Sequence, residues 1–249
     1  MTVTIERSEW LPALRPVGDS TAVAAIGDVH GQLDLAEALR DAVLATFDRS
    51  GAARRTLVWL GDLTDRGPAG IACIDLVRHG APRCRTVALE GNHEAFLTDC
   101  VTGTGHYPQQ IWLANGGDAV LREAGVEPGR AMPGELARAL GPDRIAWLEA
   151  RPRSWRCGDL FFVHAGIDPS RPLADQDPED LIWIRERFLM EDGPYEEGIG
   201  ILHGHTPVRH VETSHPHRID LDTGAFYSGV LSALVLVGEH MQLVQAMRA

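Results

Sequence analysis

Thr56-Leu57-Val58-Trp59-Leu60-Gly61-Asp62-Leu63-Thr64-Asp65-Arg66-Gly67 is the stretch that decides how the chain is read. Its first five residues form a short apolar run, the pattern of a strand buried on both faces. The next seven form a turn in which two carboxylates and a guanidinium lie between glycines, which let the backbone bend tightly. Residues 69–79 follow, with Ile71, Ile74, Leu76 and Val77 suited to one face of a helix. Strand, polar turn and helix are half of a parallel crossover unit, and open α/β sheets bind ligands at the carboxyl ends of their strands. The stretch therefore predicts an α/β fold with Asp62, Asp65 and Arg66 at a binding edge.

The same pattern recurs on either side. Residues 22–26 read as a strand ending in Gly27-Asp28-Val29-His30-Gly31, followed by a helix carrying Ala36, Leu39, Val43 and Phe47 on one stripe. Residues 85–89 read as a strand running into Glu90-Gly91-Asn92-His93-Glu94. Asp28 and Asp62 are 34 residues apart, and Asp62 and Asn92 are 30 apart, intervals that each fit one strand–helix–strand crossover. Three polar turns should then lie side by side.

Residues 1–20, with Pro12 and Pro16, predict an extended lead-in to a single domain spanning 1–249. Residues 98–156 predict a helical cap inserted within that domain, and such insertions shape access to a site. Strand character returns at residues 160–163, ahead of His164, and a helix is expected within 179–189. Further strands are expected at 199–202, ahead of His205, and at 218–221. A closing hairpin turns at Gly238-Glu239, so the C-terminal half reads as mixed or antiparallel sheet.

A formal net charge of −12 argues against a protein held on nucleic acid by bulk electrostatics. It leaves room for a phosphorylated substrate, because bound cations can dominate the local field of an acidic chain. No apolar run reaches the length of a membrane span and the N-terminus lacks a basic-then-apolar leader, so a cytoplasmic protein is expected. Cys73, Cys84, Cys100 and Cys157 form no C-x-x-C pair and read as reduced, mostly buried thiols.

Asp28, His30, Asp62, Asn92, His164 and His205 gather carboxylate, imidazole and amide oxygen at expected strand ends. That donor set suits divalent or trivalent first-row metals and differs from a thiolate zinc site. Six ligands with one able to bridge, here Asp62, point to two metals; in such sites they lie about 3.5–4 Å apart and clamp an in-line displacement at phosphorus. Arg66 and Arg185 are candidates for the phosphoryl oxygens, since a guanidinium meets them as a fork. His93 is the candidate acid for the leaving group, with Asp65 orienting its imidazole. Singly, each motif reads as a capped turn or a surface ion pair; their joint occurrence points to metal chemistry.

The turns at Gly27–Gly31, Gly61–Gly67 and Gly91–Glu94 resemble the signature of the phosphoprotein phosphatases, metal-dependent Ser/Thr phosphatases of the calcineurin-like metallophosphoesterase superfamily. His164-Ala165-Gly166 and Gly204-His205-Thr206 follow in the expected order. Trp112-Leu113-Ala114-Asn115-Gly116-Gly117 and Trp183-Ile184-Arg185-Glu186-Arg187 resemble the bacterial and bacteriophage lambda branch. The resemblance spans residues 22–237. It implies two mixed β-sheets sandwiched between helices. It also implies Asp28, His30 and Asp62 on one metal, and Asp62, Asn92, His164 and His205 on the other. His93 with Asp65 would be the general-acid pair, and Arg66 and Arg185 would bind the phosphoryl group. Manganese is the first expectation for both ions, with iron, zinc or nickel as alternatives. The implied chemistry is direct attack by hydroxide bridging the metals, without a phosphoenzyme.

The expected substrate is a phosphorylated protein or a small phosphoester. Dinucleoside polyphosphate hydrolases such as those acting on diadenosine tetraphosphate resemble the chain at the metal motifs, but typically lack the aspartate before the arginine, here Asp65. Cleavage of cyclic or RNA-end phosphodiesters is a third reading, and a non-catalytic binding protein on the same fold, which would usually have lost ligands, a fourth. His203, two residues before His205, is open to a supporting position behind the metals, and Asp222 to a turn near them.

Overall fold

In a computed structural model, residues 2–129 and 132–248 are described, and eleven strands among them form two sheets. In chain order these are β1 (Val3–Arg7), β2 (Leu11–Pro12), β3 (Thr21–Ile26), β4 (Arg54–Trp59), β5 (Arg85–Ala88), β6 (Ser154–Cys157), β7 (Leu160–Val163), β8 (Gly200–His203), β9 (Arg218–Asp220), β10 (Val230–Val237) and β11 (His240–Arg248). The larger sheet runs β1-β11-β10-β3-β4-β5, with β2 also on β11; the smaller runs β6-β7-β8-β9. The helices are α1 (Leu33–Ser50), α2 (Gly70–Arg78), α3 (Asn92–Thr102), α4 (Gln109–Trp112), α5 (Asp118–Ala124), α6 (Met132–Leu140), α7 (Pro142–Glu149), α8 (Asp180–Trp183), α9 (Glu186–Leu189) and α10 (Ala225–Ser228).

Alternation along β3 shows how the layers assemble. Ala22, Ala24 and Ile26 pack with Leu39, Val43 and Phe47 of α1. Val23 and Ala25 face the other way, onto Phe162, Leu202 and Ile219 of the smaller sheet. A strand covered on both faces needs an unbroken apolar run, which is why residues 22–26 and 56–60 carry one. The outer face of the smaller sheet, Phe161, Val163 and Ile201, is covered by Leu181, Ile184 and Phe188. Two mixed sheets therefore sit between helical layers. A third helical cluster, built on Phe96, Trp112, Leu121, Leu136 and Leu148, caps one end.

β3 pairs in parallel with β4, Ile26 opposite Trp59, and β4 in parallel with β5, Trp59 opposite Ala88. The three polar turns consequently leave the sheet as neighbours. β7, β8 and β9 are also parallel, and their ends bring His164 and His205 to the same side.

Three expectations change. Residues 1–20 are more than a lead-in: β1 pairs antiparallel with β11, Val3 opposite Arg248, and forms the sheet's edge. The helix expected within 179–189 is two short helices, because Arg185 takes φ −134° and ψ −98° between them. The cap stops short of residue 156, since β6 begins at Ser154 and pairs with β7. No helix among the described residues is long and apolar enough to cross a membrane.

Candidate active site

The turns are joined to one another by backbone. Val29 N–H and His30 N–H donate to the Asp62 carbonyl at 3.0 and 2.8 Å, and Gly31 N–H to the Leu63 carbonyl at 2.9 Å. Glu94, fully buried, accepts Asp62 N–H at 2.7 Å and Gly91 N–H at 3.0 Å on one oxygen, and Leu63 N–H at 2.8 Å on the other. Burial and the Asp62 charge push the Glu94 pKa up to about 8, against the pull of those three donors. Gly91 is required here: a Cβ at this position would strike the Asp62 carboxylate. A further contact comes from the smaller sheet, where His205 N–H meets the Asp28 oxygens at 3.2 and 3.3 Å.

Within this frame two trios share Asp62. His30, Asp62 and His93 form one and Asp62, His164 and His205 the other, each with candidate ligand atoms within 4.8 Å of one another. Asp28 belongs to neither trio; its carboxylate is engaged by the His205 amide. Asn92, the first residue of α3, sets its Oδ1 3.0 Å from His164 Nε2.

The rings show that this cluster fits a cation. His30 Nδ1 donates to the Thr64 carbonyl at 2.9 Å, which leaves Nε2 as the lone-pair nitrogen. That nitrogen is buried with no hydrogen-bond partner and lies 3.5 Å from Asp62 Oδ2. His164 repeats the arrangement: Nδ1 donates to the Leu60 carbonyl at 3.0 Å, and Nε2 faces Asn92 Oδ1 and, at 3.4 Å, Asp62 Oδ1. Burial lowers the pKa of both rings, which favours their neutral form. Lone pairs then face acceptors across a buried space, and positive charge between them resolves the repulsion. The acids agree. Burial, with Asp222, Asp62 and Asp220 nearby, holds Asp28 well above the usual carboxylate range. Burial also raises Asp62, but His164, His93, His30 and His205 overcome it and bring its pKa down.

His93 differs from the other rings. Its Nδ1 is 2.7 Å from Asp65 Oδ2, its Nε2 is 3.1 Å from Arg66 Nη2, and its amide donates to Asp62 Oδ1 at 3.1 Å. Burial disfavours its charged form, yet Asp62 and Asp65 outweigh that and raise its pKa. Asp65 is also held by Trp112, whose Nε1 donates to both carboxylate oxygens at 3.1 and 2.9 Å. Arg66 receives support from the same segment, its amide donating to the Gly116 carbonyl at 3.0 Å, while its guanidinium lies over Phe226 at 4.7 Å. Arg185 approaches from the break between α8 and α9 and donates from Nε to His205 Nε2 at 3.1 Å.

All ten predicted site residues thus converge on one region. Sequence reasoning passed over Glu94, Trp112 and Phe226 as contacts of the site. The Gly91-to-Glu94 spacing of a capping box was the available signal for Glu94. His203 and His205 do not share a face. β8 ends at His203, which packs on Phe188 at 5.1 Å, whereas His205 turns at φ 70° toward Asp62. Asp222 accepts Gly224 N–H at 2.8 Å, shaping its turn. Positive φ angles are concentrated here: among the described non-glycine residues they occur at His30, Asp62, Asp65, Arg66 and His205, and elsewhere only at Ser20 and Arg83. Such backbone costs about 1–3 kcal/mol per residue and persists where its surroundings hold it.

Trp112→Phe tests the support of Asp65. It keeps an aromatic ring against Gly117 but removes the donor. It is expected to lower kcat about tenfold with KM within about twofold, and to lower unfolding free energy by about 1–2 kcal/mol. Steady-state kinetics and urea titration check both; an unchanged kcat would free Asp65 from dependence on Trp112.

Comparison with known proteins agrees on the family. The model of the family described as calcineurin-like phosphoesterase matches residues 21–230. The serine/threonine-protein phosphatase 1 of Salmonella typhimurium is 30% identical over 83% of this chain and 88% of its own length. An asymmetrical bis(5′-nucleosyl)-tetraphosphatase of Halalkalibacterium halodurans is 26% identical over 84% of this chain and 87% of its own. A solved structure provisionally described as a diadenosine tetraphosphatase superposes with TM-score 0.63 at 23% identity, over 96% of this chain and 97% of that one, a likeness of fold.

Proposed function

We propose that this chain, which belongs to the calcineurin-like phosphoesterase family, is a hydrolase of phosphate monoesters, with phosphoserine and phosphothreonine of proteins as its substrate class. The observation that carries the reading is the buried Trp112–Asp65–His93 chain ending beside Asp62. An oriented imidazole whose carboxylate partner favours its charged form is the equipment for protonating a poor alkoxide leaving group. His30, Asp62, Asn92, His164 and His205, with Asp28 beside them, would hold two metal ions, manganese first among the candidates. When bound, the ions would supply positive charge at the phosphoryl oxygens and a water acidic enough to attack. Arg66, from the turn after β4, and Arg185, from between α8 and α9, would grip the remaining oxygens, Arg66 leaving His93 and Arg185 leaving His205 as they do so. Fixed donors around the phosphoryl group stabilise the charge of the transition state more than that of the ground state.

The second reading, hydrolysis of a dinucleoside tetraphosphate, draws on the likeness to the bis(5′-nucleosyl)-tetraphosphatase and has equal support from the relatives. The leaving group there is a nucleotide phosphate that needs no proton, so a dedicated acid favours the monoester. The test is one manganese-loaded preparation assayed side by side on a phosphoserine peptide, diadenosine tetraphosphate and p-nitrophenyl phosphate. The highest kcat/KM is expected on the peptide. A preference of more than about tenfold for the dinucleotide would replace the first reading by the second, and inertness on all three across manganese, iron, zinc and nickel would remove both.

A further inference from the structure

A second concave site lies at the other edge of the larger sheet. Val237 in its wall pairs with Ala22, at the start of β3, whereas Asp28 follows the strand's end. The rise of a six-residue strand puts the two sites about 20 Å apart. The cavity measures about 600 Å³ and lies between the C-terminal end of α1, the end of β1, and the hairpin of β10 and β11. Arg7, Trp10, Thr46, Arg49, His240 and Gln242 face it, and no carboxylate among the described residues does.

The lining is unusual for this chain. With a net charge of −12, acids outnumber bases, and arginines on neighbouring elements are spent on them: Arg40 with Asp41, Arg55 with Asp48, Arg248 with Asp34. Arg7 and Arg49 meet no acid among the described residues. Arg7 reaches only the Ala42 carbonyl, at 3.5 Å, and Arg49 the Thr46 hydroxyl, at 3.0 Å. Trp10 is 42% exposed, one of four large apolar side chains left to solvent among the described residues. Guanidinium groups without acids, lining one cavity with an open indole, offer charge-assisted donors and a stacking face together.

We propose that this cavity binds an aromatic anion of nucleoside monophosphate size, its ring on Trp10 and its anionic group between Arg7 and Arg49. The volume is that of a small-molecule site and far exceeds a bare inorganic anion, which would leave the indole unused. A neutral aromatic ligand would leave two guanidinium groups unanswered. The site is separate from the hydrolytic centre and does not depend on which ester that centre cleaves.

The probe is the methylenephosphonate analogue of AMP, which the catalytic site cannot hydrolyse, titrated into manganese-loaded full-length protein while tryptophan emission is followed. Subtracting the Trp10→Phe titration isolates the Trp10 signal. The expected result is a saturable Trp10 change below about 1 mM, weakened at least about tenfold by Arg49→Ala or Arg7→Ala. Adenosine alone and inorganic phosphate alone should each bind at least about tenfold more weakly than the analogue. Arg49→Ala should hydrolyse p-nitrophenyl phosphate at the wild-type rate. No saturable Trp10 signal by about 10 mM, or one unaffected by both arginine variants, overturns the proposal. Adenosine matching the analogue would remove the anionic half, and phosphate matching it the aromatic half.

Discussion

Asp62→Asn is expected to lower kcat/KM by at least about a thousandfold, equivalent to about 4 kcal/mol of barrier, and to reduce bound metal to well under one equivalent. The two histidine trios have only this residue in common, with Oδ2 3.5 Å from His30 Nε2 and Oδ1 3.4 Å from His164 Nε2. An amide has one acceptor in place of two and turns an N–H₂ toward whichever ring loses its oxygen. It also removes the single negative charge that both trios surround. The change should leave the turn standing, because most links that place residue 62 run through its backbone, its amide to Glu94 and its carbonyl to Val29 and His30, and the amide oxygen of Asn can still accept His93 N–H. Metal analysis of the dialysed protein, with circular dichroism as the control for folding, separates lost ligation from lost structure. Two equivalents retained in a folded variant would show that Asp62 does not bridge.

Much of the fold was legible because the central strands are buried on both faces. Continuous apolar runs at residues 22–26 and 56–60, each ending in a glycine turn and followed by a helical stripe, leave little besides parallel crossovers, and β3, β4 and β5 follow that pattern. β1 was not legible for the opposite reason. It is a half-exposed edge strand whose partner, β11, begins more than 230 residues later, so nothing local marks it as sheet. The break at Arg185 was hidden in the same way. The local pattern continues a helix, while the contact with His205 comes from across the smaller sheet.

The candidate site shows the same division. Residues presented directly at strand ends were readable from spacing and residue type. Those acting through another side chain were not. Trp112 reaches Asp65 from 47 positions away, and Glu94 reaches Asp62 from 32, through the packing of separate elements. In sequence, Trp112 opens the Trp112–Gly117 stretch that carries part of the resemblance, but nothing local shows what it touches; only its Nε1 direction in the folded chain ties it to Asp65. His93 lies between these cases. Its position was readable, but its role depends on what each ring nitrogen meets.

His93→Asn should lower kcat by about 10²–10⁴-fold on alkyl phosphates such as a phosphoserine peptide, and by less than about tenfold on p-nitrophenyl phosphate. The difference follows from the leaving group. Serine alkoxide is too basic to depart without a proton, whereas nitrophenolate departs as the anion, so only the first reaction loses the assistance of an acid. Geometry fixes which nitrogen would carry the proton. Nδ1 is committed to Asp65 at 2.7 Å, so transfer falls to Nε2, on the side of Arg66 and of Asp62 at 3.8 Å. Those carboxylates raise the ring's pKa despite burial, which favours its protonated form once Arg66 turns to the substrate. His93 also stands within 4.8 Å of His30 and Asp62, the spacing a metal ligand would have. The same variant distinguishes the roles: a proton donor leaves the metal content near wild type and makes the loss steeper as the leaving group becomes more basic. A fall in bound metal, with equal losses on both esters, would instead make His93 a ligand. In that case Asp65 and Trp112 would be supporting a metal-binding ring, and the preference for monoesters would lose the observation on which it stands.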